Sequence, residues 1–218
     1  MHGGLMVART IKEYAKERGI KYLVHFTRLS NLASILRHGL VCLDELDGRK
    51  ISGVVNDEHR LDGTDAVCVS IGLPNYRMFY RYRKQKGNEL EEWVVVVIHP
   101  SVLWELPCAF CTTNAASNRV SNVPIDQRTG LDAFQAMYDD FDDIVRADLR
   151  LMDYLPTNPQ AEVLMLEGVP RKYIMGVAVE DKKMKDRIEA LHPDLKVWSV
   201  KAFYSYRKDF AHWQQQQA

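Results

Sequence analysis

Four consecutive valines, held between Trp93 and Ile98, constrain this chain more than any other feature. β-Branched side chains are stiff and suit a pleated surface, and a run without polar alternation offers water no face. The segment Trp93 to His99 therefore predicts a strand buried on both sides, closed by Pro100. Such a strand needs cover above and below, so the chain must build layers around one sheet. It is also the longest strongly apolar run, far short of the roughly 20 residues of a membrane-spanning helix. No transmembrane segment is expected. Met1 to Arg9 has little positive charge ahead of a short apolar stretch and runs straight into a charged helix, which does not read as a secretory signal, so the expected location is the cytoplasm.

The flanking elements follow from local patterns. Thr10 to Glu13 fits a capping box opening a helix that runs to Arg18 and ends at Gly19. Tyr22 to Phe26 predicts a strand, and Ser30 can cap a helix with Leu32, Ile35 and Leu36 on one face, ended by Gly39. Asp44 to Thr64 reads as a long surface excursion, and Ala66 to Ile71 as a second buried strand. Behind Thr129 a helix carries Leu131, Phe134 and Tyr138. Ala161 to Leu166 and Tyr173 to Val179 predict strands joined by a turn at Gly168 to Pro170. Met184, Ile188 and Leu191 mark a last helix. Lys196 to Val200 and Ala202 to Tyr206 finish the sheet, and a polar tail from His212 to Ala218 should fray. No βαβ rhythm and no glycine-rich loop after a strand appear, which excludes a Rossmann or P-loop design. The reading is one α+β domain over residues 1–218.

Bulk charge is silent about partners, because 29 basic residues balance 29 acidic ones. Cys42, Cys68, Cys108 and Cys111 should be reduced thiols, since a chain of this size needs no disulfide staple. Cys108 and Cys111 have CxxC spacing, but no second pair follows, so no metal is expected. The acidic block from Asp139 to Asp143 lacks calcium-loop spacing.

Two polar constellations stand out. His25, Phe26, Thr27 with Asn31 and Leu32 sit where a strand passes into a helix; Gln160, Ala161, Glu162 open an otherwise apolar strand. Alone, such a histidine is more often structural than chemical, and such a glutamate can simply face solvent. A carboxylate at the mouth of a buried strand is nevertheless costly unless paired or used. The two constellations, in this order, resemble the DarT family of ADP-ribosyltransferases. The resemblance extends to Arg60 in the segment Asp57 to Leu61, and to Ser70 to Tyr80, which reads SIGLPNYRMFY.

The resemblance implies a poly(ADP-ribose)-polymerase-like fold with a central split, mixed or antiparallel sheet flanked by helices. It implies NAD as co-substrate, bound by His25, Thr27, Asn31, Ser70, Tyr80 as the nicotinamide-stacking aromatic, and Arg60. Residues 44–65 would form the NAD-binding loop, in which Arg49 and Lys50 compete with Arg60. Glu162 and Arg60 would be catalytic. The segment 150–161 would recognise the acceptor, with Thr157 and Asn158 reading base edges; polar residues between Phe110 and Asn118 are a second candidate.

Arg77, Arg81, Arg83 and Lys84 interleave with tyrosines, a composition that suits single-stranded nucleic acid. Tyr204, Tyr206, Arg207 and Lys208 form a smaller patch of the same kind. A solvated basic face beside buried tyrosines is the plain alternative. A base to be modified must be unstacked, which a single strand supplies at least cost. The implied function is transfer of ADP-ribose to a thymine or guanine in single-stranded DNA, by a toxin opposed by an ADP-ribose-removing, macrodomain-type antitoxin. The alternatives are a transferase acting on RNA or protein, and a non-catalytic strand-binding module.

Overall fold

A seven-stranded sheet runs through the molecule in the order β4-β5-β2-β1-β3-β6-β7. Its strands are β1 (Leu23–Arg28), β2 (Val67–Ile71), β3 (Trp93–Ile98), β4 (Cys108–Cys111), β5 (Glu162–Met165), β6 (Ile174–Val179) and β7 (Val197–Ser199). The computed structural model describes residues 9–51, 53, 55 and 62–214. Neighbours are antiparallel except β6 and β7, which makes the sheet mixed. Helices cover both faces, giving the expected α+β arrangement.

The valine run forms β3 and is buried along its length. Val94, Val96 and Ile98 join a large core with the helices Ile11–Glu17, Leu32–His38 and Gly130–Ala136. Trp93, Val95 and Val97 point the other way, into a second core with Phe79, Tyr82 and Phe203. Each large side chain removed from water in this way stabilises the fold by roughly 1.5–3 kcal/mol. The period of two thus spends one strand on two layers.

The split lies between β1 and β2. They pair only at Leu23↔Ile71 and Val24↔Ser70, whereas β1 and β3 stay in register from Leu23↔Ile98 to Arg28↔Trp93. Beyond Val24 the strands part: β1 continues with β3, and β2 turns to β5. A cavity opens in the gap.

Several expectations are met in detail. Thr10 caps the first helix, its Oγ1 accepting from Glu13 N–H at 3.2 Å. Gly39 ends the helix Leu32–His38 at φ 83°, and a Cβ there would stand 2.3 Å from the Val169 carbonyl, so only glycine fits.

Others are corrected. Ser30 does not cap that helix; it lies within a short 3₁₀ turn, Leu29–Asn31, that leads into it. The surface excursion after Asp44 begins as the helix Leu43–Gly48. The turn at Gly168 to Pro170 does not bring the strands it joins side by side, since β2, β1 and β3 stand between β5 and β6. Ala202 to Tyr206 adds no strand, because Lys201–Tyr204 is a 3₁₀ turn. Cys108–Cys111, read only as a metal-like spacing, is β4. Of the tail, Phe210–Trp213 forms a 3₁₀ turn and Trp213 is 1% exposed, while residues 215–218 lie outside the described residues. Among the described residues no helix is long and apolar enough to cross a membrane.

Candidate active site

Glu162 opens β5 and is 4% exposed. Its Oε2 accepts from the Ala115 backbone N–H at 2.8 Å, and its Oε1 accepts from Asn75 Nδ2 at 3.4 Å. A carboxylate at this depth is kept only where donors replace its water. The donors come from two different elements. Ala115 lies in the turn after β4, and Asn75 is the N-cap of the helix Tyr76–Lys84.

Across the gap stands β1. His25 Nδ1 lies 2.8 Å from the Cys68 carbonyl of β2. A carbonyl can only accept, so Nδ1 carries the proton and a neutral ring leaves Nε2 as its acceptor. This bond spans the place where β1 and β2 have stopped pairing. Two residues on, buried Thr27 receives the Asn31 amide on its Oγ1 at 2.9 Å. The Thr27 hydroxyl proton is left to be given to another partner.

His25, Thr27, Asn31, Ser70 and Glu162 line one cavity of about 220 Å³. Its apolar wall includes Phe26, Met78 and Tyr82. Apolar walls with a few convergent polar groups are the usual build of a small-molecule site. Behind Glu162, across the β4–β5 register, sits Cys111. Burial pushes its thiol up to about 11 against the pull of Arg128, and the Glu162 charge pushes the same way. It stays neutral beside the carboxylate. No group of three potential metal ligands converges among the described residues.

The sequence model of the family described as "DarT: ssDNA thymidine ADP-ribosyltransferase" matches residues 24–205. The chain belongs to the DarT family. No curated protein matches it. Among solved structures, Thermosipho africanus DarTG in complex with ADP-ribose is 16% identical with a TM-score of 0.59, covering 84% of this chain and 51% of that one. This chain therefore spans about half the length of that relative. Thermus sp. 2.9 DarT in complex with NAD+ is 16% identical with a TM-score of 0.51, covering 85% of this chain and 98% of that one. At such identity the structures speak to the fold alone. The family is described as one of ADP-ribosyltransferases for single-stranded DNA.

Within this DarT-family site the expected residues fall into three groups. His25, Thr27, Asn31, Ser70 and Glu162 are brought together. Arg60 lies outside the described residues; Arg49, its competitor, pairs with Glu45. The rest are placed elsewhere. Tyr80 is 47% exposed and rests against Tyr206, with ring centroids 5.6 Å apart. At 100° per residue, a helix that turns Met78 and Tyr82 into the cavity turns Tyr80 out of it. Arg83 is occupied by Glu180 at 2.9 Å and the Tyr204 carbonyl at 3.0 Å. Arg207, read as surface, is buried against Asp209. Thr157 is buried, its hydroxyl accepting from Arg146 at 3.0 Å, and Asn158 Oδ1 accepts from Gln160 N–H at 2.8 Å. They brace the segment ahead of β5. Asn158, Gln160 and Arg77 also line a second cavity of about 690 Å³ with Thr113, Arg119 and Trp213. Arg81 and Lys84 are exposed on the outer side of their helix. Asn75 and the Ala115 amide were missed. Asn75 stands inside the quoted SIGLPNYRMFY segment and shows only as a helix cap, and a backbone amide leaves no mark in a sequence.

Proposed function

We propose that the chain transfers ADP-ribose from NAD to a thymine in single-stranded DNA, with Glu162 as the catalytic carboxylate. The observation that carries this reading is a buried, doubly held Glu162 sharing one cavity with His25, Thr27 and Ser70 across a split in the sheet. Breaking the bond between ribose C1′ and the nicotinamide nitrogen gives the ribose oxocarbenium character, and nicotinamide leaves neutral. A fixed negative charge beside that carbon stabilises the transition state without reorganising. A base nitrogen then bonds to C1′ and gives its proton to Glu162. Thr27 and Ser70 offer hydroxyls, and His25 a fixed tautomer, to hold the ribose and the amide of NAD. Phe26 and Tyr82 supply the aromatic wall that Tyr80 does not. Arg60 is assigned to the diphosphate by resemblance.

The cavity shared by Arg77, Asn158 and Gln160, just ahead of Glu162, is where the acceptor strand enters, with Arg81 and Lys84 meeting its phosphates. Thymine rests on the family's description. As a DarT-type toxin the chain would act on the DNA of its own cell and need an antitoxin that removes ADP-ribose.

The test is to incubate the chain with labelled NAD and, separately, single strands containing only thymine or only guanine as the modifiable base, RNA, and a protein mixture. Label on the thymine strand supports the reading. Label confined to guanine, RNA or protein replaces the acceptor, and strand binding without any label makes the chain a binding module.

A further inference from the structure

We propose that Asn75 is a positioning residue for Glu162, acting through the single N–H that its side chain presents to the carboxylate. The proposal rests on Glu162 being the carboxylate that acts on the ribose. Asn75 is 1% exposed, so water cannot take over its contacts. The two ends of its amide are told apart by the backbone. Oδ1 accepts from the Met78 N–H at 3.2 Å, which caps the nine-residue helix Tyr76–Lys84. The nitrogen is therefore the end turned to Glu162 Oε1. The Ala115 N–H meets Oε2, so the two carboxylate oxygens receive donors from two separate segments. A glutamate side chain has three free torsions. Two anchors on separate elements leave it one orientation, which a group acting on a single carbon requires.

Helix capping alone does not account for asparagine here. Asp, Ser and Thr cap helices about as well, because the cap needs only an acceptor. The face toward Glu162 needs a donor. Asp would keep the cap but set a second carboxylate against the first, where one of the two must hold a proton. Other ionisable groups also lie near Glu162. Cys111 faces it across β4 and β5, with the buried Arg128 guanidinium on the Cys111 sulfur at 3.6 Å. Asp62 lines the same cavity and accepts from Thr64. Arg77, on the capped helix, donates to the Trp213 carbonyl.

The experiment compares Asn75→Asp and Asn75→Ser with the unaltered chain, measuring kcat and KM for NAD in ADP-ribosyl transfer to single-stranded DNA from pH 5.5 to 8.5. Both substitutions keep a cap, and thermal melting checks that each variant is folded. Asn75→Ser should lower kcat on the order of 10²-fold at every pH, with KM for NAD changed less than about threefold. Asn75→Asp should show a comparable loss at pH 8.5 that is partly recovered toward pH 6, because the protonated carboxyl donates to Glu162 as the amide does. A serine variant with normal kcat, or losses that appear wholly in KM, would overturn the proposal. So would an aspartate variant with no recovery at acid pH. Glu162→Gln, run alongside, separates the two levels: an inactive Glu162→Gln with active Asn75 variants removes only the positioning role. Full transfer by Glu162→Gln removes the underlying reading and the proposal with it.

Discussion

Glu162 and Asp209 are buried to nearly the same depth, at 4% and 3% exposure, yet they are held in different ways. Asp209 faces a cation: Arg207 meets it through Nε at 2.7 Å and Nη2 at 2.5 Å, and Trp213 Nε1 adds a bond of 2.7 Å. The same guanidinium also donates to the carbonyls of Pro156 and Thr157, at 2.8 Å and 2.5 Å. That cluster fastens the end of the chain to the segment leading into β5. Glu162 receives amide N–H groups from Asn75 and Ala115 among its contacts, and it lies on a cavity wall. A fork of five donors satisfies a carboxylate fully and leaves it nothing to do. Neutral donors hold a carboxylate in place without cancelling its charge. The first arrangement serves the fold, and the second fits the chemistry proposed for Glu162.

Single substitutions should separate the two. The largest effect is expected from Glu162→Gln, which keeps the shape, removes the charge and sets the amide NH2 against one of the two donors. ADP-ribosyl transfer should fall about 10³-fold, equivalent to about 4 kcal/mol of barrier, while the stability measured in urea falls by only about 1–2 kcal/mol. A variant that loses stability in proportion to activity would erase the distinction between the two carboxylates. Arg207→Met should do the reverse. It strands Asp209 in an apolar setting and should cost about 3 kcal/mol in urea unfolding, with transfer per folded molecule reduced far less than in Glu162→Gln. Adding Asp209→Leu should return most of that stability, because the stranded charge, and not the missing arginine, carries the penalty. If the double variant is as unstable as the single one, the cluster acts through the Pro156 and Thr157 carbonyls instead.

What could be read from the residues divides along the same line. Local signals survived folding: the valine run became β3, Thr10 capped its helix, and Gly39 ended another. Pairing was not legible, because an apolar strand does not announce its neighbour; nothing in Glu162 to Met165 says that it lies beside β2 and β4. His25 and Glu162 were found by the order of their motifs, and the split between β1 and β2 that joins them to one cavity is a property of register. Tyr80 was chosen by its place in a motif, and helix geometry turned it outward. Arg207 looked like part of a basic patch. Its burial depends on Asp209 two residues on and on two carbonyls about fifty residues away, and no window of sequence contains both. Asn75 fails in the same way, since its partner lies 87 residues on.

The smallest effect concerns the neighbour that Glu162 does have across the sheet. Burial raises the Cys111 thiol to about 11 and the Cys108 thiol to about 12, against 9.0 in an open chain. Well below pH 9 both thiols hold their protons whether the chain is folded or not, so they do not make stability depend on pH there. As pH rises from 9 toward 11 the unfolded chain releases protons that the folded one keeps, and stability falls by up to about 1.4 kcal/mol per pH unit for each thiol. Urea unfolding at pH 8, 9 and 10 should show this decline, and Cys108→Ala with Cys111→Ala should remove much of it. The carboxylate can be seen in the same measurement. Its charge is one of the influences raising Cys111, after burial, so in Glu162→Gln the thiol should ionise at lower pH and the alkaline loss should be smaller. An alkaline decline unchanged by both sets of substitutions would mean that other groups carry it and that the Glu162 charge is not felt across the β4–β5 pair.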